Sequence, residues 1–231
     1  MLEDDYNDSP ARIELIPAGT TLYRITDLAS EYEPNSFNCK NIRPIGHERQ
    51  GRFDPVDDSH GGYLYVATSP TGVVAEGVLR GRDIPRSRLV RRSWLLQKSL
   101  SVMRLETDVK VAQIYGPSVR LLNLDASVCT CRRYSYPDPN DIMNRIDNYT
   151  TSRTIGHRII SNTPEAAGLK YTCRNNDAVQ SLLLTTRYGQ PDITVLEQLE
   201  ILGNEEATKL IIETLAEYGL HYTGEIPGQR S

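Results

Sequence analysis

The chain has 231 residues, a formal net charge of −4, 39% apolar residues and 24% charged ones. That is enough for one sizeable domain with its own core, needing no disulfide or metal staples. No apolar run approaches the roughly 18–20 residues of a membrane span, and the negative balance disfavours a protein that coats nucleic acid.

The start, Met1-Leu-Glu-Asp-Asp-Tyr-Asn-Asp8, is acidic and polar. It lacks the basic and apolar stretches of a secretory signal, so the cytoplasm is the expected compartment. Residues 1–17 are expected to form an acidic, disordered leader. Gly19 to Ile25 reads as a short strand, and residues 26–62 as a long irregular stretch of the kind that usually carries function. Tyr63 to Thr68 is a compact β-type run. A helix start follows, with Ser69 as cap, Pro70 in the first turn and Val73, Val74, Gly77 and Val78 on one face; Gly81 should close it.

Residues 98–125 read as strands, with Val119 to Leu124 the clearest, and 132–148 as a Pro/Asp/Asn-rich loop. Thr150 to Ile160 suits a helix. Leu169 to Cys173 and Ser181 to Arg187 read as two strands around a turn at Asn175 to Asp177. Helices are expected at about 193–202 and 205–218, ended by Gly203 and Gly219. The whole predicts an α+β body with a mixed, mainly antiparallel sheet, flanking helices and an acidic helical C-terminal appendage over 191–231.

Positive charge rests on 21 Arg against 5 Lys, and the aromatics on 13 Tyr against 2 Phe and 1 Trp. Arginine forks suit phosphate and carboxylate, and tyrosine faces suit a binding cleft; G/C-rich codons and half-buried strands would give the same skews. Arg80 to Arg92 holds six Arg and one Asp. It can serve as a solvated face, a partner surface or a nucleic-acid contact. Cys39, Cys129, Cys131 and Cys173, with His47, His60, His157 and His221, show no metal-ligand spacing. Rossmann, P-loop and nucleophile-elbow motifs are absent.

The informative residues stand at strand ends. Thr21-Leu-Tyr-Arg-Ile25 is followed by Gly51-Arg-Phe-Asp-Pro55, then by Gly62-Tyr-Leu-Tyr-Val-Ala-Thr-Ser-Pro70 with Ala75-Glu76 beyond it. With Gly168-Leu-Lys-Tyr-Thr-Cys-Arg174 and Ser181-Leu-Leu-Leu-Thr-Thr-Arg187, the set resembles the RES-domain family over about residues 18–190. The resemblance implies an ADP-ribosyltransferase-like fold and NAD as substrate without a metal. It also implies the toxin role of a toxin–antitoxin pair, with an Xre-type antitoxin protein as partner. Carried onto this chain, it places the family arginine at Arg24 and glutamate at Glu76, with a second arginine and a tyrosine at Arg52 and Tyr65. The family serine falls on Cys173, where Ser-Arg is the family pattern.

That assignment makes Glu76, Arg24 and Cys173 the catalytic candidates, and Arg24, Arg52 and Tyr65 the NAD-binding ones. Arginine forks fit a pyrophosphate and a tyrosine face fits the cationic nicotinamide ring. Cleaving the nicotinamide–ribose bond builds up an oxocarbenium-like charge, which one carboxylate can stabilise. Water, phosphate or a protein side chain can be the acceptor. A protein-modifying mono-ADP-ribosyltransferase and a non-catalytic or nucleic-acid-binding protein using Arg80–Arg92 are the alternatives. Glu76 on the solvent side of its helix, and Cys173 as an inert buried thiol or a covalent nucleophile, also remain open.

Overall fold

The computed structural model describes residues 6–38, 51–80, 82, 87–125, 142–173 and 175–224, with the backbone alone for 142–148. Among these, β1 (Ile13–Ile16), β2 (Thr21–Asp27), β3 (Tyr63–Ala67), β5 (Lys98–Leu105) and β6 (Val109–Ile114) join β7 (Gly168–Cys173), β8 (Asn176–Thr185) and β9 (Ile193–Glu200) in one sheet. Its order is β1-β6-β7-β8-β3-β2-β5-β9. Only β6 and β7 run parallel within it. β4 (Leu89–Val90) and β10 (His221–Tyr222) form a separate parallel pair. The helices are α1 (Pro70–Gly77), α2 (Pro117–Leu121), α3 (Ile142–Asn162) and α4 (Glu205–Glu217). The fold is α+β with a mixed, mainly antiparallel sheet, as expected.

Alternation along the strands makes the two faces. On β3, Leu64 and Val66 join Leu22, Met103, Leu182 and Leu184 in the core of one face. Tyr63, Tyr65 and Ala67 point the other way, where two further clusters lie. One packs Tyr63, Leu169 and Tyr171 against Ile155 and Ile159 of α3. The other packs Ala67 and Leu100 against Val74 and Val78, near α1, and Ile211 and Leu215 of α4.

The sheet is weakest at its middle. β2 pairs with β5 at every residue from Thr21 to Asp27, but with β3 only at Tyr23 and Ala67. The two strands therefore splay on the face where α1 sits. α1 lies close to them because it carries glycine where a side chain would collide. A Cβ at Gly77 would stand 2.8 Å from Ile25 Cβ, and one at Gly72 3.1 Å from Ala67 Cβ.

Several expectations change. The ordered chain reaches back into the leader: β1 pairs with β6, and Tyr6 is buried in the α3-side cluster. Val119 to Leu124 is no strand, because Pro117 after Gly116 starts a helical turn that buries Val119 and Leu122 three residues apart. Residues 142–148, read as loop, are the first turns of α3. Residues 193–202 are not a helix. Ile193–Glu200 pairs along the open edge of β5, and that long-range pairing overrides a spacing that also suits a helix. The helical appendage thus has one helix, α4, and its preceding segment belongs to the sheet. Gly81, Cys39, Cys129, Cys131 and His47 lie outside the described residues.

A buried histidine pair joins the turn before β3 to α3. His60 and His157 lie with ring centroids 4.4 Å apart, and neither Nδ1 has a hydrogen-bond partner. Burial first, and then neighbours including Arg187, push both below the usual 6.5, while Asp57, 3.7 Å from His157, pulls the other way. A histidine whose folded pKa is depressed binds fewer protons folded than unfolded. Its contribution is complete above the unfolded value and is lost as pH falls below about 6.5. Urea unfolding should therefore show stability falling from pH 7 to pH 5, by at most about 1.4 kcal/mol per pH unit for each histidine. His60→Gln should flatten that slope; an unchanged slope would dismiss the pair as its source.

Candidate active site

Helix α1 begins as its sequence suggests: the Ser69 hydroxyl accepts from Gly72 N at 3.1 Å and Pro70 occupies the first turn. Val73, Glu76, Gly77 and Arg80 follow at three- and four-residue spacing and all line one cleft. Glu76 therefore faces inward, with its side chain 15% exposed, rather than riding the solvent side. A carboxylate in the last turn of a helix meets the negative end of the helix dipole and needs a cation beside it.

That cation is Arg52. Its Nη2 lies 2.6 Å from Glu76 Oε1, and its Nη1 donates to Thr172 O at 3.2 Å. The guanidinium also stands 4.8 Å from the Tyr171 ring centroid and 5.4 Å from that of Phe53. Arg52 is 3% exposed and is not on the cleft wall. The expected pyrophosphate ligand thus stands one layer behind the cleft lining, with its guanidinium engaged by Glu76 and Thr172 O.

The Gly51–Pro55 loop that carries Arg52 is fixed from two sides. From α3, Ser152 Oγ donates to Arg52 O at 2.6 Å, and the fully buried Arg153 donates to Asp54 O at 3.0 Å and Pro55 O at 2.7 Å. From β3, Tyr65 Oη donates to Asp54 Oδ1 and accepts from Phe53 N, both at 3.0 Å. Asp54 Oδ2 also accepts from Gly51 N at 2.7 Å. A Cβ at Gly51 would lie 2.2 Å from Asp54 Oδ1, so the turn needs glycine. Tyr65 is thus both a wall of the cleft and a strut of the loop, and burial pushes its hydroxyl pKa well up.

The cleft lies over the splay between β2 and β3, with a cavity of about 210 Å³. Tyr23, Tyr65 and Tyr171 give it aromatic walls, and Arg24, Arg80 and Glu76 its charge. The Tyr65 and Tyr171 rings meet edge to face, 6.4 Å apart. Arg24 alternates with Tyr23 and Ile25, so its side chain leaves the sheet on the other face, while the residue still contributes to the cleft lining. Its Nη1 donates to Pro34 O at 2.6 Å, and burial lowers its pKa. Sequence reasoning missed Arg80, Tyr171 and Ser181 on the wall. Arg80 was legible as the residue four after Glu76, but it was read as the first of a surface arginine run. That run is dispersed: Arg82 Nε donates to Val78 O at 2.8 Å, at the end of α1, and lies over Trp94.

Cys173 is fully buried behind this wall. Its Sγ lies 3.1 Å from Ser181 Oγ, and it is Ser181 that lines the cleft, across from Tyr171 on β8. Burial, and then the charge of Glu76, push the thiol up to about 12. It is a protonated hydrogen-bonding group, far from the thiolate a covalent role demands.

The RES domain family matches residues 21–200, which run from the start of β2 to the end of β9. The chain belongs to the RES-domain family. This is a family associated with NAD-related toxin activity. No curated protein and no solved structure matches the chain. Within this RES domain the matched region contains Arg24, Arg52, Tyr65, Glu76 and Cys173, and the fold gathers them around the splay. Among the described residues no three His, Cys, Asp or Glu side chains converge as a metal site would.

The state of the Cys173 thiol sets an expectation. Cys173→Ser should retain the function of the site, since a hydroxyl donates to Ser181 at least as well. A thiol-alkylating reagent at pH 8 should leave Cys173 in the folded protein unmodified, as read by mass spectrometry of the digested chain. Rapid modification there, blocked by ligand, would restore the nucleophile reading.

Proposed function

We propose that this RES domain binds NAD in the cleft and cleaves its nicotinamide–ribose bond, passing ADP-ribose to water or phosphate. The observation that carries the reading is Glu76: a carboxylate held by a buried arginine and turned into a tyrosine-walled cleft that also presents Arg24. Family membership supports NAD as the substrate.

The chemistry asks little more of the protein. Nicotinamide leaves as a neutral molecule once the bond breaks, so no general acid is needed. The ribose becomes cationic, and a fixed carboxylate beside it stabilises that charge without reorganising. Arg52 sets the position of Glu76 through the ion pair. Tyr65 and Tyr171 offer ring faces and edges to the flat nicotinamide. Their hydroxyls stay neutral, since burial raises both pKa values well above the usual range.

The decisive variant is Glu76→Gln. Glutamine keeps a carbonyl oxygen for Arg52 to donate to, so the loop keeps its partner while the charge is lost. NAD turnover, read as nicotinamide released by purified protein, should fall roughly 100-fold or more, with NAD binding retained. Free ADP-ribose or its phosphorylated form would then name the acceptor. Equal kcat in variant and wild type would remove Glu76 from the chemistry.

In the toxin reading, supported by the family's association, depletion of NAD is what harms the cell and an Xre-type antitoxin is the partner. Bacteria expressing the wild-type chain alone should stop growing, and those expressing Glu76→Gln at the same level should grow. Equal growth of the two would argue against a toxin.

A further inference from the structure

Arg80 lines the cleft and has no part in the cleavage chemistry proposed for Glu76. It lies just beyond the end of α1, half-buried, and lines the same cleft as Glu76 and Arg24. Among the described residues it makes no ion pair and donates no hydrogen bond. Its guanidinium carbon stands 5.7 Å from the centre of the Tyr149 ring, over its face. A buried guanidinium normally satisfies its five donors, or leaves them for a ligand.

Charge balance points the same way. Arg52 and Glu76 cancel one another at 2.6 Å, so Glu76 has its counter-ion before Arg80 is counted. Arg24 donates to a carbonyl, Pro34 O, and pairs with no carboxylate among the described residues. Among the described residues, then, neither Arg24 nor Arg80 is in an ion pair, although Glu76 lies near enough to Arg80 to favour its charge. Burial works against the charge of Arg80, and the surrounding Tyr149, Glu76, Tyr65 and Tyr171 outweigh it. A charged guanidinium without an ion-pair partner in a cleft matches an anionic ligand group, and its fork suits phosphate oxygens.

We propose that Arg80 is the residue that binds the pyrophosphate of a ligand in the cleft, a contact that a ligand without phosphates cannot make. This rests on the proposed function and assigns the anion-binding role to Arg80 in place of Arg52. Arg80 follows Glu76 by four residues, in the turn after α1, so carboxylate and cation enter the same cleft from one stretch of chain.

The test is calorimetric titration of wild type, Arg80→Gln and Arg80→Lys with ADP-ribose and with nicotinamide, alongside a melting curve for each protein. Arg80→Gln should weaken ADP-ribose binding roughly 10- to 100-fold and leave the melting temperature and nicotinamide binding unchanged. Arg80→Lys should lose less. If Arg80→Gln does not fold, Arg80→Lys carries the comparison, because it keeps the charge and loses the fork. ADP-ribose binding equal to wild type in the variants would overturn the assignment while leaving the NAD reading intact. A parallel loss of nicotinamide binding and melting temperature would make Arg80 structural. A wild-type chain that binds neither NAD nor ADP-ribose would overturn the proposed function itself, and this inference with it.

Discussion

A guanidinium as buried as that of Arg52 has lost its water, and it stays charged in place only if the protein meets it with an anion and with hydrogen-bond acceptors. Glu76 supplies the anion and Thr172 O an acceptor. The cost of desolvating this pair explains the density of bonds around it. Ser152, Arg153, Tyr65 and Asp54 all act on the five-residue loop that delivers Arg52. Removing one member of the pair would strand the other in a dry site, a loss of about 3–5 kcal/mol. The site is thereby tied to the stability of the domain.

The same pair orders the larger architecture. α1 touches strands on both sides of the splay, and α4 braces it from behind. Tyr218 Oη donates to Thr71 O at 2.8 Å, and Thr71 Oγ1 donates to Glu217 at 3.1 Å. Ile211 and Leu215 of α4 share a cluster with Val74 and Val78. The C-terminal segment, beyond the matched family region, is thus what presses the Glu76 helix onto the sheet. On this account its acidic surface is incidental, and its apolar stripe is the part with a structural task.

Local chemistry was legible from the sequence wherever it is decided by neighbours along the chain. The Ser69 cap, Pro70 and the helix they start are in place, and β3 lies within Tyr63 to Thr68. Ile193–Glu200 was misread because its apolar spacing fits a helix and a strand alike, and only the distant edge of β5 decides between them. At the site, Arg24, Tyr65 and Glu76 stand together as their motifs suggested, while Arg52 and Cys173 lie one layer behind the wall. A motif marks which residues share a site. It does not say which of two arginines touches the ligand and which stands behind it. Arg80 escaped notice because a run of arginines reads as one surface, and only the turn that follows α1 brings its first member to the cleft.

The splay between β2 and β3 has a bearing on what can enter. An unpaired strand edge ordinarily invites another strand, and proteins bury or charge such edges to prevent it. Here two facing edges lie inside the sheet, yet a peptide cannot slot between them as an added strand. Tyr23 and Ala67 are directly paired, which closes the gap at one point, and an inserted strand would need about twice the ~4.8 Å spacing there. At that pair the opening has no room for an added strand of polypeptide. For the proposed reaction this means that a protein acceptor would have to present a single side chain at the mouth, whereas water and phosphate would face no such restriction.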